Sequence, residues 1–253
     1  MVEKFSLAYR VRSYETGVRN RLTLPNLCNY LQEAAGEHAE KLGFGILDLQ
    51  AHGVSWMLSR LRVKVAREAS WGADLRVETW PCGVQRRLVA PRDFQVFDAA
   101  TGERIAEGVS EWLTVDLAAL RIVRPTEKFA ELVGADVPRT PLAEEEGRGK
   151  FAALAKVDAA AKILVRRADH DFNDHVNNVH YVEWTFEALP DAFRDRAATG
   201  LDIVFRQAAH AGDELESRVE VVDDAHVRVA IVRLSDNALL ATAALEFTFK
   251  EEH

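Results

Sequence analysis

The sequence predicts an α+β fold of two tandem units, each a long helix wrapped by an antiparallel sheet, with the sheets joined as a pseudo-dimer. Three observations carry this expectation. The order helix-then-strands occurs twice, a Gly-plus-Asp turn recurs at matching points of both halves, and a polar, charged stretch separates them.

The first helix is expected from Leu24-Pro-Asn-Leu-Cys-Asn-Tyr-Leu-Gln-Glu-Ala-Ala, with Thr23 as its cap and Pro25 in its first turn. It should run to about Leu42, where Gly43 and Gly45 end it. The second half repeats the plan in His175-Val-Asn-Asn-Val-His-Tyr-Val-Glu-Trp-Thr-Phe-Glu-Ala-Leu. Its apolar residues Val179, Val182, Phe186 and Leu189 recur at helical spacing, and Asn177 or Asn178 suits the cap. Each helix leads into a strand that ends at a turn, Trp71-Gly-Ala-Asp74 in one half and Ala211-Gly-Asp213 in the other. Alternating strands follow, from Leu75 and Leu215, and each half closes with hairpin-like strands, Phe94–Asp98 with Arg104–Val115 and Val227–Arg233 with Leu239–Phe249. Residues from about Pro138 to Lys150, with Pro141 and the Glu144-Glu-Glu-Gly-Arg-Gly run, read as an exposed linker. The expected domains are therefore 1–137 and 161–253, joined by a 138–160 linker.

Composition narrows the function classes. Apolar residues form 48% of the 253, enough for a core, and no run approaches the roughly 18 apolar residues of a membrane span. The start, Met1-Val-Glu-Lys-Phe-Ser, is too polar for a signal peptide, and Cys28 and Cys82 supply neither a disulfide framework nor a zinc pattern, so the expected compartment is the cytoplasm. A net charge of −8 argues against nucleic-acid or membrane binding through overall charge. Arginines nevertheless cluster at Arg60/Arg62, Arg86/Arg87/Arg92, Arg121/Arg124 and Arg166/Arg167, and these read as solvated strand faces.

The chemistry-bearing segment is Asp169-His-Asp-Phe-Asn-Asp-His-Val-Asn-Asn-Val-His-Tyr. On an extended approach to the helix, Asp171, Asn173 and His175 would alternate onto one face. A carboxylate, an amide and an imidazole at a helix N-terminus suit hydrolysis of an activated ester: the imidazole or carboxylate takes a proton from water, and the terminus offers donors to the oxyanion. The same residue types also serve as turn and capping groups. A metal site at His170, His175 and His180 is disfavoured, for no i, i+4 His pair on a clear helix and no Cys ligand accompanies them.

The motif Asp171-x-Asn173-x-His175-Val-Asn-Asn-x-x-Tyr181-x-x-Trp184-x-x-Glu187 resembles the signature of the acyl-ACP thioesterase family of plant plastids and bacteria. The resemblance extends to Trp56-Met-Leu-Ser-Arg60, Glu78-Thr-Trp80-Pro81, Arg92-Asp93-Phe94, Ala106-Glu-Gly-Val-Ser-Glu-Trp112 and Arg121-Ile-Val-Arg-Pro125. It implies two tandem hot-dog domains, the first supplying much of the acyl-chain pocket and the second the catalytic set Asp171, Asn173 and His175. It implies substrate contacts at Asn177, Asn178, Trp56 and His210, with no cofactor and no metal. The implied reaction is hydrolysis of fatty acyl-ACP to free fatty acid, with acyl carrier protein as partner and the chain a monomer (a pseudo-dimer) or a homodimer.

One departure stands out. A Glu that the family carries on a neighbouring strand, and a Cys that plant members place after it, fall on Ala208 and Ala209 here. A cysteine nucleophile is therefore unsupported, and water activation is expected from Asp171, with His210 second by alternation from Ala208. In the first half, Gly17, Arg19 and Arg21 stand where the second has Asp171, Asn173 and His175. An acyl-CoA thioesterase and a non-catalytic acyl-binding protein remain the alternatives.

Overall fold

The computed structural model describes residues 3–134, 137–145, 151–171 and 175–248. The chain forms two compact units, Met1–Glu146 and Gly147–His253.

The first unit contains β1 (Phe5–Arg10), α1 (Leu24–Lys41), α2 (Ile46–Gln50), β2 (Val54–Val65), β3 (Asp74–Pro81), β4 (Val89–Asp98), β5 (Arg104–Asp116), β6 (Arg121–Val123), α3 (Glu127–Val133) and α4 (Pro141–Glu144). Its antiparallel sheet runs β1-β3-β4-β5-β2, with β6 added to β5. Thr23 caps α1 by accepting from the Asn26 N–H, Pro25 sits in the first turn, and the helix stops before Gly43, which has a φ of 73°. Leu24, Leu27, Cys28, Leu31, Ala34 and Ala35 form one apolar stripe, and it packs on the sheet. Gly108 permits that approach: a Cβ there would stand 2.9 Å from Leu31 Cδ1.

The second unit contains β7 (Ala159–Leu164), α5 (Asn178–Glu187), α6 (Asp191–Arg194), β8 (Ala198–Phe205), β9 (Glu214–Val221), β10 (His226–Arg233) and β11 (Leu239–Phe247). Its sheet runs β7-β9-β10-β11-β8, all antiparallel. Val179, Tyr181, Val182, Trp184 and Thr185 of α5 are buried, over a core that includes Leu215, Val219, Val229 and Leu245. Each sheet also carries a strand ahead of its helix, β1 and β7, which the helix-then-strands reading did not anticipate.

Two expectations about exposure are overturned. Residues 138–145 are not an exposed linker but a strap packed on the first unit. Asp93, wholly buried on β4, accepts from the Arg139 guanidinium at 2.9 Å, from the Thr140 N–H at 2.7 Å and from its hydroxyl at 3.1 Å. Trp80 donates to the Pro138 carbonyl, Leu142 N–H donates to Glu107, and Leu142 and Ala143 bury themselves against Val109. The Pro- and Glu-rich composition misleads here because the partners of its polar groups come from β3, β4 and β5. The strand β7 also begins inside the span read as linker.

The second correction concerns the arginines. Arg60, Arg62 and Arg92 are buried rather than solvated. Arg62 donates to the Leu142 carbonyl at 2.6 Å, so the strap both covers and satisfies it. Arg92 donates to His38 Nδ1 at 3.1 Å and to Thr79 Oγ1 at 3.2 Å.

His38, buried on α1, is pushed down to about 4 by burial first, then by the charges of Arg92 and Lys41. Its folded value lies below the ordinary 6.5, so the unfolded chain binds the extra proton first as pH falls. The contribution is present above pH 6.5 and lost progressively toward pH 4. Denaturant midpoints should drop over that window, and His38→Gln should flatten the drop; an equally steep fall in the variant removes His38 from the account.

Candidate active site

The Asp171 segment is a hairpin rather than an extended approach to the helix. After β7, a 3-10 turn at Arg167–Asp169 leads into a short bridge between His170 and Val176. The Asp171 N–H donates to the His175 carbonyl at 2.8 Å, and the Asn177 N–H donates to the Asp169 carbonyl at 3.0 Å. Asp171 and His175 thus oppose each other across two antiparallel legs, where side chains share a face. Cross-strand pairing, rather than the expected two-residue alternation, is what relates these two residues. Asn173 lies outside the described residues. Asp171 is half-buried and His175 exposed.

The base of the hairpin is clamped. Asp169 is buried and accepts from the Arg166 N–H at 2.8 Å and from its guanidinium at 2.7 and 3.0 Å. Burial alone would raise this carboxyl, but the bonds from Arg166 and the nearby His180 hold it below its usual range. The second leg enters α5 through Asn177, whose Oδ1 accepts from the Val179 N–H at 3.0 Å, while Asn178 is the first helical residue. His180 Nδ1 bonds Glu183 at 2.7 Å, and that bond, against a smaller effect of burial, raises its pKa.

His210 does not share a strand face with Ala208, because β8 ends at Phe205. It sits in a turn closed by Asp213 N–H to the His210 carbonyl, with its own N–H held by the Asp213 carboxylate at 2.9 Å. That turn is nonetheless tied to the hairpin: the Ala211 N–H donates to His170 Nε2 at 3.1 Å, and the Ala209 N–H donates to the Tyr181 hydroxyl at 2.7 Å. Sequence reasoning missed His170 and Tyr181 as tethers, since neither spacing nor type signals a bond to a turn so far along the chain. His170 Nε2 and His180 Nδ1 are thereby engaged.

Trp56 lies in the first unit, half-buried beside the cluster of Phe44, Leu49, Ala90, Phe129 and Val133. Its indole N–H donates to the Phe44 carbonyl at 3.0 Å and its ring meets Phe129 edge-on. Both thiols are buried and raised to about 12, chiefly by burial, which leaves neither as a ready nucleophile.

The first unit contains the same hairpin without the acid–base set. Thr16 bridges Leu22, the Gly17 N–H donates to the Arg21 carbonyl at 2.9 Å, and the Thr23 N–H donates to Glu15 at 3.1 Å. Glu15 takes the Arg12 N–H at 2.7 Å, as Asp169 takes that of Arg166. Bond for bond, Gly17 stands for Asp171 and Arg21 for His175. The following turns also correspond: Gly72 N–H donates to Val11 as Gly212 N–H donates to Val165, both at 2.9 Å. Glu68 therefore occupies the position of Ala208, and it lies 3.9 Å from Arg19.

Comparison with known proteins places this chain in a family. The acyl-ACP thioesterase N-terminal domain matches residues 2–133 and the acyl-ACP thioesterase C-terminal domain matches residues 153–247. An oleoyl-acyl carrier protein thioesterase of Coriandrum sativum is 27% identical over 259 residues, 96% of this chain and 70% of that protein. Oleoyl-acyl carrier protein thioesterase 2 of Arabidopsis thaliana is 30% identical over 198 residues, 73% of this chain and 54% of that protein. The solved structure of the 12:0-ACP thioesterase from Umbellularia californica covers 98% of each chain with a TM-score of 0.86 at 25% identity. With both family domains matched in order along its two units, this chain belongs to the acyl-ACP thioesterase family, the enzymes that hydrolyse the thioester of fatty acyl-ACP.

Proposed function

We propose that the Asp171–His175 hairpin carries out this hydrolysis by direct water attack. Asp171 takes a proton from water as its oxygen bonds the thioester carbonyl carbon, and Asn173 holds substrate or water. The oxyanion is met by the N-terminus of α5. Because Asn177 takes the Val179 N–H, the donor left to offer there is the Asn178 N–H. The C–S bond then breaks, His175 shares in delivering the proton to the departing thiolate, and free fatty acid and carrier thiol result. The observation that carries this reading is the 2.8 Å Asp171-to-His175 backbone bond, which sets a carboxylate opposite an imidazole beside a helix N-terminus. Further parts of the proposal are that the tandem units act as a monomer or homodimer without nucleic acid or membrane, and that the setting is cytoplasmic, which two free buried thiols support.

Matched acyl-ACP and acyl-CoA substrates test the carrier. Faster release of free acid from acyl-ACP supports the proposal, and preference for acyl-CoA replaces it with the second enzyme reading. A non-catalytic reading draws on Ala208, an exposed residue whose side chain cannot activate water. Ala208→Glu should raise kcat by about tenfold if the site merely lacks a base. An unchanged kcat in Ala208→Glu points to a site rearranged to work without that Glu, whereas a wild type that binds acyl-ACP but never releases acid leaves only the binding reading.

A further inference from the structure

Arg86 and Arg87 form the tip of the turn between β3 and β4, with φ values of 49° and 63°. Consecutive left-handed residues in a tight turn favour Asn and Gly, and two arginines there keep a strained backbone. Gln85 N–H to Val89 at 2.7 Å and Leu88 N–H to Gln85 at 3.1 Å close the turn. Leu120, with a φ of 49° and 81% exposed, marks a second strained tip between β5 and β6.

The sheet register sets the start of β4, which follows the first tip, beside the end of β6. Val89 of β4 pairs with Leu113 of β5, and Val123 of β6 pairs with the next residue, Thr114. On the other side of β5 these positions face Met57 and Trp56 of β2, so β4 and β6 abut along one side. Arg86, Arg87 and Leu88 precede Val89 and Arg124 follows Val123, so these four gather at the junction as a basic patch, with Arg121 and Ile122 on opposite faces of the neighbouring β6. The four arginines are exposed, Leu88 is 38% exposed and Ile122 is 47% exposed. None of the four has an ion pair among the described residues. Asp116 is the acid opposite Arg121 in the register; its Oδ1 accepts from the N–H groups of Ala119 and Ala118, and these bonds, with a smaller effect of the Arg121 charge, lower its pKa. Such a surplus of positive charge stands out on a chain of net charge −8.

We propose that this patch is the docking surface for the acidic acyl carrier protein, an inference that rests on the acyl-ACP reading above. Arginine is among the residues enriched at protein-binding hot spots, and charge complementarity guides and orients the encounter. A long polyanion would run past the patch onto the rest of an acidic chain, whereas a compact acidic helix meets only the patch.

The test is anisotropy titration of fluorescently labelled holo-acyl carrier protein against the full chain and a quadruple variant, Arg86→Asn, Arg87→Gly, Arg121→Gln and Arg124→Gln. The Asn-Gly replacement suits the left-handed turn, so the thermal midpoint should not fall. Carrier affinity should weaken about 10- to 100-fold, with its salt dependence reduced. Turnover of an acyl N-acetylcysteamine thioester, which has no carrier, should stay the same. Unchanged carrier affinity in the variant overturns the proposal, as does a wild type that binds phosphatidylglycerol vesicles but not the carrier. Binding is read without turnover, so failure to hydrolyse any thioester strikes the functional reading and leaves the docking result standing by itself.

Discussion

Replacing either His175 or Asp171 with alanine is expected to lower kcat on acyl-ACP by about 100-fold or more, the usual scale for a lost acid–base group. A group that acts in the transition state depresses kcat and kcat/KM together, whereas a group that only binds substrate raises KM. Asp171→Asn separates two roles, because the amide keeps the size and an acceptor oxygen but takes no proton. If Asp171 is the base, Asn should be as damaging as Ala. If it only orients water, Asn should recover most of the rate. Neither change should unfold the protein: His175 is exposed, Asp171 is half-buried, and the hairpin is held by backbone bonds and by Asp169. Near-normal turnover in Asp171→Ala removes it from the mechanism.

The largest stability effect is expected at Asp93. This wholly buried carboxylate anchors the 138–145 strap through Arg139 and Thr140. Asp93→Ala leaves a mostly buried guanidinium and a buried N–H without their partner, a situation that costs about 3–5 kcal/mol. Thermal unfolding of the first unit should shift down by on the order of 10 °C. Removing both charges, in Asp93→Ala with Arg139→Ala, should recover part of that loss, since no uncompensated ion remains. A double variant no more stable than Asp93→Ala alone would show that the strap is held by other contacts. Protease sensitivity within 138–145 should rise in step with the loss.

These two sites show how much the sequence discloses. Local signals were legible: Thr23 and Asn177 cap their helices as expected, the glycines end α1, and the Asp74 and Asp213 turns lie where they were read. The correspondence of Gly17 and Arg21 with Asp171 and His175 was also visible, and the matched backbone bonds make it definite. What escaped depends on partners distant in the chain. An alternating pattern suggests solvated arginines, yet Arg62 is covered by a strap about eighty residues later. The strap looks like a linker because its polar groups find buried partners on β3, β4 and β5. The pairing of Asp171 with His175, and the tether from His170 to Ala211, follow from three-dimensional packing that no local spacing encodes.

The central claim is that chemistry resides in the second unit's hairpin and not in its counterpart in the first. Rates of free fatty acid release from saturating acyl-ACP by His175→Ala and Arg21→Ala, measured side by side, test it most directly. The account predicts a kcat lowered by about 100-fold in His175→Ala and a wild-type kcat in Arg21→Ala. A near-normal rate in the first with a collapse in the second would contradict it.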